Sequence, residues 1–278
     1  MRNLYADIGA FRRRFVNNIP LDEQDATEAL HVLEAASRRC DEFTHRQFFS
    51  ETATRYYDGS GCGELWIDDL LAATSVKLDE DGDRTFEVTL SAAADYYLLR
   101  KGHRDESALP STLLRLDPVN GQRGLFIERP RLVEIAGRWG FTETVERIAP
   151  QITLADVTTA VATLSEPGDV ADGQTLKTST GEQVFVRHGG GTTSLTVDRG
   201  VNGSTAGAVT NSTLDRYVYV PQVVDATLIL AARMWKRRET AYANVIAAPA
   251  LGTFETFRRT DPDAAELLLP LVRQDRVA

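Results

Sequence analysis

Three glycines alternate within YYDGSGCGELWIDD, residues 56–69, and this density is typical of loops that bind phosphate. Such a loop lies between a strand and the N-terminus of a helix, where backbone N–H groups and the helix dipole face the anion. Here Gly59, Gly61 and Gly63 precede ELWID, which alternates as a strand does, and no Lys-Ser or Lys-Thr pair follows. The segment therefore predicts a glycine turn that leads into a strand.

A second glycine run, HGGG at residues 188–191, resembles the oxyanion-hole loop of some esterases. That chemistry also needs a nucleophilic serine on a strained GxSxG turn, and the sequence contains no such motif. Segments rich in threonine and valine flank the run, so we predict a hairpin tip here. A small hydrolase that uses the His188 loop is the disfavoured alternative.

Acidic residues form a third candidate, because carboxylate oxygens are the ligands that calcium prefers. The segment DEDGDRTFE contains Asp79, Glu80, Asp81 and Asp83, but its surroundings predict strands and not the helices of a helix-loop-helix calcium site. Because Asp81-Gly82 separates two alternating runs, the segment predicts a hairpin turn with solvated carboxylates. An adventitious cation is the minor alternative.

The remaining metal-binding residue types are few and dispersed. Cys40 and Cys62 form no CxxC pair, and the four histidines are scattered, so no structural zinc site is expected. We predict no catalytic residue, no cofactor and no metal, and therefore a protein that is not an enzyme.

Composition limits the class of protein. The chain has 278 residues, of which 42% are hydrophobic and 26% charged, as in ordinary globular proteins. A net charge of -9 argues against a dedicated nucleic-acid binder, but it does not exclude a protein that DNA must slide past without binding, because like charge repels the phosphate backbone. The N-terminus shows no apolar leader, and VVDATLILAA is too short and too charged to span a bilayer, so no membrane partner is expected.

Local patterns predict the elements that would position these residues. Apolar residues at three- and four-residue steps predict a helix over roughly 22–47 with Asp22 as its N-cap, after a smaller helix in YADIGAFRRRF. Residues 54–140 are rich in period-two alternation and predict strands. Residues 150–219, rich in Thr, Gly, Val and Ser, predict a small β-domain.

The C-terminal part predicts helix again. Pro221 suits the first turn of a helix that runs to about residue 247. The final thirty residues predict a tail with one short helix after Asp263.

The order of these segments resembles the head–tail connector (adaptor) family of long-tailed bacteriophages. The matching segments are ALHVLEAASRRCDEFTHRQF, TRYYDGSGCGELWIDDLLAATSVKLDEDGD, YYLLRKG, LVEIAGRWGF, VPQVVDATLILAARMWKRRE and TDPDAAELLLPLVR. The resemblance implies an α+β fold, a helical bundle with a small β-sheet portion, formed by residues 1–149 and 220–278. Residues 150–219 would be an inserted all-β domain.

The inserted segment has a resemblance of its own. Its strand with a glutamate, GEQVFVRH, and its turn, SLTVDRGVNGST, are similar to a module of some phage structural proteins. Simpler connector proteins lack this insertion.

The resemblance implies a structural virion protein in the neck between head and tail, made in the host cytoplasm. It would form a homo-oligomeric, dodecameric ring that joins the portal protein to the tail or next neck protein. The ring would line the DNA exit channel, with genomic DNA as non-specific cargo. The alternatives are another neck protein, a stopper or tail terminator, or a decoration protein built around the β-insert.

The resemblance also implies which residues face the portal or the ring neighbour. By segment, residues 221–247 and 254–276 would do so. The individual candidates are Leu228, Met234, Trp235, Lys236, Arg237, Arg238, Tyr242, Phe254, Phe257, Arg258, Arg259, Leu267 and Leu268.

Overall fold

The computed structural model of the chain is mostly β, with 34% strand and 26% helix. It describes residues 3–15, 21–92, 94–100, 109–239, 245–248, 252–255 and 261–273. The prediction of a helical bundle with a small β-sheet portion is therefore wrong: a closed six-stranded barrel and a second sheet dominate the described residues. The reason is physical, since long helical periodicity occurs in two segments, whereas most of the chain between them alternates at period two.

The elements follow one another along the chain as helices, strands and helices again. The α-helices are α1 (Ile8–Phe15), α2 (Glu23–Thr44), α3 (Pro221–Glu239) and α4 (Pro262–Leu268). The strands are β1 (Glu51–Tyr57), β2 (Glu64–Leu78), β3 (Val88–Leu90), β4 (Tyr96–Leu99), β5 (Ser111–Leu116), β6 (Val133–Trp139), β7 (Val145–Leu154), β8 (Val161–Leu164), β9 (Thr175–Thr178), β10 (Gln183–His188), β11 (Ser194–Asp198), β12 (Val209–Tyr217), β13 (Val245–Ala248) and β14 (Gly252–Glu255).

The chain divides into two compact units. The first comprises Met1–His45, Thr144–Val201 and Thr205–Ala278, and the second comprises Arg46–Glu143 and Asn202–Ser204. The helices and the barrel belong to the first unit, and the open sheet belongs to the second.

The helices of the first unit confirm several local predictions. Asp22 caps α2, its side chain accepting from the N–H of Asp25 at 2.7 Å. The helix ends at Thr44 because His45 adopts a left-handed conformation with φ of 54°. The C-terminal helix begins at Pro221 as predicted but ends at Glu239, before the predicted residue 247.

The barrel of the first unit closes in the strand order β10-β11-β8-β7-β12-β9. Strand β11 illustrates its pattern, because Leu195 and Val197 are buried while Ser194 and Thr196 are exposed. Inward-facing aliphatic side chains fill the barrel, among them Ile152, Leu164, Leu176, Val184 and Leu214. Closure leaves the barrel without an open strand edge among the described residues.

The second unit is an antiparallel sheet in the order β1-β6-β2-β5-β4, with β3 paired to β2. The long strand β2 pairs with β5 through its first half and with β6 through its second half. One face carries the core, in which Ile67, Leu114 and Trp139 are at most 1% exposed. The hairpin predicted at Asp81-Gly82 is present as the connection from β2 to β3.

Candidate functional site

The glycine run in residues 59–63 forms a turn before β2, as predicted. The N–H groups of Gly59 and Gly61 donate to the carbonyls of Arg129 and Phe126 at 2.8 and 2.9 Å. A Cβ at Gly59 would lie 1.7 Å from the carbonyl oxygen of Ile127, so this position requires glycine. Because its amides are bonded within the chain, the turn offers no amide cradle for phosphate at these two residues.

The glycines of residues 189–191 lie in the hairpin between β10 and β11, as predicted. Gly190 donates its N–H to Oδ1 of Asp172 at 2.7 Å, and Gly191 donates to the carbonyl of Val170 at 2.8 Å. Burial raises the pKa of Asp172, against the opposing effects of the Gly190 hydrogen bond and of His188. An oxyanion hole needs N–H groups that point at a substrate, and these two point into the protein.

The acidic loop, residues 79–87, is the group of described residues that could hold a metal ion. Carboxylate oxygens of Asp79, Asp81, Asp83 and Glu87 all lie within 4.8 Å of one another. Oxygen ligands of this kind suit a hard cation such as calcium.

Hydrogen bonds inside the acidic loop also explain its shape without an ion. Asp79 is 4% exposed, and its two oxygens accept from the N–H groups of Gly82 and Arg84 at 2.7 and 2.9 Å. Asp83 accepts from the N–H of Thr85 at 2.6 Å. These bonds hold a connection that is wider than the two-residue turn typical of Asp-Gly hairpins.

A buried ion pair joins the start of β10 to the end of β11. Nε of Arg199 lies 2.7 Å from Oε1 of Glu182, and its Nη2 lies 2.9 Å from Oε2. Their side chains are 7% and 0% exposed. Burial raises the pKa of Glu182, but hydrogen bonds from Arg199 and from the N–H groups of Gly207 and Gly200 outweigh it and hold this pKa below its usual value.

The donors of Arg199 are fully used. Besides Glu182, its guanidinium donates to the carbonyls of Asp156, Thr159 and Gly207 at 2.7, 3.2 and 2.8 Å. A guanidinium has five N–H groups, and the bonds to Glu182 and to these carbonyls account for all of them. The pair therefore fixes three loops and has no donor left for a ligand. The glutamate and the Arg-Gly turn are both visible in the sequence, but nothing in their local patterns predicts that they bind each other.

A cleft of about 200 Å³ lies in the first unit, lined by residues that include Tyr5, Gln174 and Tyr219. Its charged groups are paired within the unit. Arg216 binds Glu146 at 2.8 Å, and Asp7 accepts from Gln174 at 2.8 Å. These pairs occupy the charged side chains that line the cleft, so those charges are not free to orient a substrate.

The proposed portal- or ring-facing residues fall into three groups. Leu228, Trp235 and Leu268 are at most 8% exposed and pack within this chain. Met234, Arg237 and Leu267 are half-buried, and Lys236 and Arg238 are exposed. Phe254 lies in β14, whose side chains are not described, and Tyr242, Phe257, Arg258 and Arg259 lie outside the described residues.

Comparison with protein-family models, with curated proteins and with solved structures finds no match for this chain. None of the helices in the described ranges has both the length and the apolar character of a membrane span.

Proposed function

We propose that the chain is a structural protein of the virion neck of a long-tailed bacteriophage, where it forms a ring between portal and tail. The observation that carries the proposal is that the described polar clusters are hydrogen-bonded within the chain. Arg199 with Glu182, the amides near Asp172 and the carboxylate of Asp79 all serve to hold loops. The order of segments along the sequence supports the same function.

The surface charge supports a contact between unlike patches. Lys236 and Arg238 are exposed at the C-terminal end of α3, and Arg238 also lies 3.0 Å from Asp25. Asp81 and Asp83 are exposed in the acidic loop. A cyclic ring uses two different patches on each subunit, and opposite charges on them give register and orientation.

The test is electron microscopy of the purified protein with and without the portal ring of the same virion. We expect a ring that stacks coaxially on the portal. A protein that neither forms rings nor binds the portal would contradict the proposal. Lys236→Glu should weaken portal or ring binding at least tenfold in a pull-down. The control Val119→Glu, which adds a negative charge at a position 84% exposed in the second unit, should bind as the parent does.

The closed barrel favours a second candidate, a decoration or other neck protein built around β7–β12. The same microscopy distinguishes the two functions. A decoration protein would bind the capsid lattice and not the portal, and a tail terminator would bind the end of the tail tube.

A further inference from the structure

Four neighbouring strands of the barrel share an outer face that carries hydroxyl, amide and methyl groups. The barrel order places β11, β8, β7 and β12 side by side. Thr163 lies opposite Ser194 on one side and Thr153 on the other, which makes a cross-strand row. Val161 lies opposite Thr196 in the next row. We call this surface the neutral face, and its residues are Ser194, Thr196, Val161, Thr163, Thr153 and Asn211.

The neutral face is open to solvent. Val161 is 50% exposed, and Thr163 and Ser194 are exposed as well. Asn211 is also exposed, and its N–H donates to Oγ1 of Thr153 at 3.1 Å, so β12 continues the row that begins on β11. The residues between these positions point into the barrel and fill its core. The face is therefore a surface that a partner can reach.

A surface without charge is unusual in this chain, because 26% of its residues are charged. Residues 148–155, 157–165, 189–197 and 200–214 contain no Asp, Glu, Lys or Arg, and together they include the whole neutral face. The core of a protein interface is depleted of charged residues compared with the rest of the surface. In this respect the neutral face resembles an interface core.

The charges at the rim of the neutral face are bonded within the chain. Asp198, at the end of β11, pairs with Arg187 at 2.7 Å. Asp215, in β12, pairs with Arg147. Asp156, in the loop before β8, accepts four hydrogen bonds from two nearby threonines. The rim therefore gives no strong preference for a basic or an acidic partner.

The charge pattern of the neutral face suits contact with a second copy of this chain. Two copies with a net charge of -9 repel each other, and the repulsion is smallest where neither copy presents charge. Ser, Thr and Asn side chains both donate and accept hydrogen bonds, so each can bond to its own kind. A two-fold contact uses the same patch on both subunits, and such side chains are self-complementary there. A DNA partner would instead require basic side chains.

We infer that two copies of this chain associate through their neutral faces about a two-fold axis. Val161 supplies apolar area to this contact, and the hydroxyl and amide groups supply its hydrogen bonds. The inference goes beyond the proposed ring, because neighbours in a ring meet through unlike surfaces. The two-fold contact joins copies in pairs and does not require the portal.

The test is sedimentation of the full chain over a concentration series in the absence of the portal. We expect a monomer–dimer equilibrium whose dissociation constant Val161→Asp raises at least tenfold, because the new carboxylate meets a like charge in the second copy. The matched control is Val145→Asp. Val145 is also a valine of a barrel strand, is 38% exposed and lies outside the neutral face, so this variant should dimerise as the parent does. Circular dichroism and melting temperature check that both variants fold as the parent does.

A mixture of opposite charges tests the two-fold contact directly. Val161→Lys alone should weaken association as Val161→Asp does. An equimolar mixture of the two variants should associate more tightly than either alone, because unlike charges then meet. Absence of this rescue would overturn the inference. A full chain that remains monomeric at all concentrations, or equal weakening by Val145→Asp, would also overturn it.

The portal assay separates this inference from the neck function. A Val161→Asp variant that no longer dimerises but still forms rings on the portal would support both. If that variant dimerises as the parent does but loses portal binding, the neutral face serves the portal and the inference is overturned. Dimerisation through the neutral face without portal binding would contradict the neck function alone.

Discussion

Glu182 and Arg199 are opposite charges in the interior. Their contribution to stability depends on how completely both side chains are hydrogen-bonded. A buried pair contributes little compared with apolar packing, but loss of one partner leaves the other charge buried without its counter-ion. Here the loss would also release the carbonyls of Asp156 and Thr159. The pair therefore holds together the loop before β10, the loop after β11 and the loop between β7 and β8.

Arg199→Ala should lower the free energy of unfolding by about 3–5 kcal/mol, because it removes one partner of a buried pair. The measurement is urea denaturation followed by fluorescence. Arg147→Ala is the matched control, because Arg147 pairs with Asp215 while its side chain is 61% exposed. Exposed pairs contribute at most about 1 kcal/mol, so similar losses in both variants would contradict the role assigned to the buried pair.

The same pair has a defined pH dependence. The pKa of Glu182 is lower in the folded chain than its ordinary value of 4.5, so its contribution to stability is present above about pH 4.5. That contribution is lost as the pH falls through the folded-state pKa. Glu182→Gln should therefore reduce the acid-induced loss of stability compared with the parent.

The two thiols should react at very different rates. Burial raises the pKa of the Cys40 thiol to about 11, against a hydrogen bond with Thr227 that lowers it. The exposed Cys62 thiol has its pKa lowered by a hydrogen bond with Ser60. We expect one fast equivalent of maleimide labelling in the native protein and the second only on unfolding. Cys62→Ser should abolish the fast phase, and two fast equivalents would contradict the placement of Cys40.

At the scale of elements, α4 is part of the core of the first unit and not a free tail. Ala264 and Leu268 are 0% exposed, and the N–H of Arg273 donates to the carbonyl of Thr44 at 3.0 Å. Removal of residues 261–273 would therefore unfold part of the unit. Loss of portal binding by such a truncation would not identify a docking surface.

Leu268→Ala should cost about 2–5 kcal/mol of unfolding free energy, because it leaves a cavity in a close-packed site. The neighbouring Leu269 is 66% exposed, so Leu269→Ala should change stability by less than about 0.5 kcal/mol. Thermal unfolding of the two variants measures the difference. Equal effects would contradict the packing of α4 described above.

At the scale of the whole molecule, local features could be predicted from the sequence and pairing between distant segments could not. Asp22 as an N-cap, Pro221 at a helix start and the glycine turn at Gly59 each depend on neighbouring residues. Barrel closure instead depends on the pairing of β12 with both β7 and β9, which alternation alone does not specify. The ion pair between Glu182 and Arg199 could not be predicted for the same reason. Each of these residue types, taken alone, is typical of a protein surface.

The way in which the two units divide the sequence has a consequence for biosynthesis. Almost all of the second unit is a single run, Arg46–Glu143, so its sheet is complete in sequence well before the ribosome reaches α3. Helix α2 cannot pack against α3 until α3 has been synthesised, because the contact between Cys40 and Thr227 spans 187 positions of sequence. The order of emergence thus favours early formation of the sheet, while the face of α2 that packs against α3 remains uncovered until α3, which begins at Pro221 of the 278 residues, has been made.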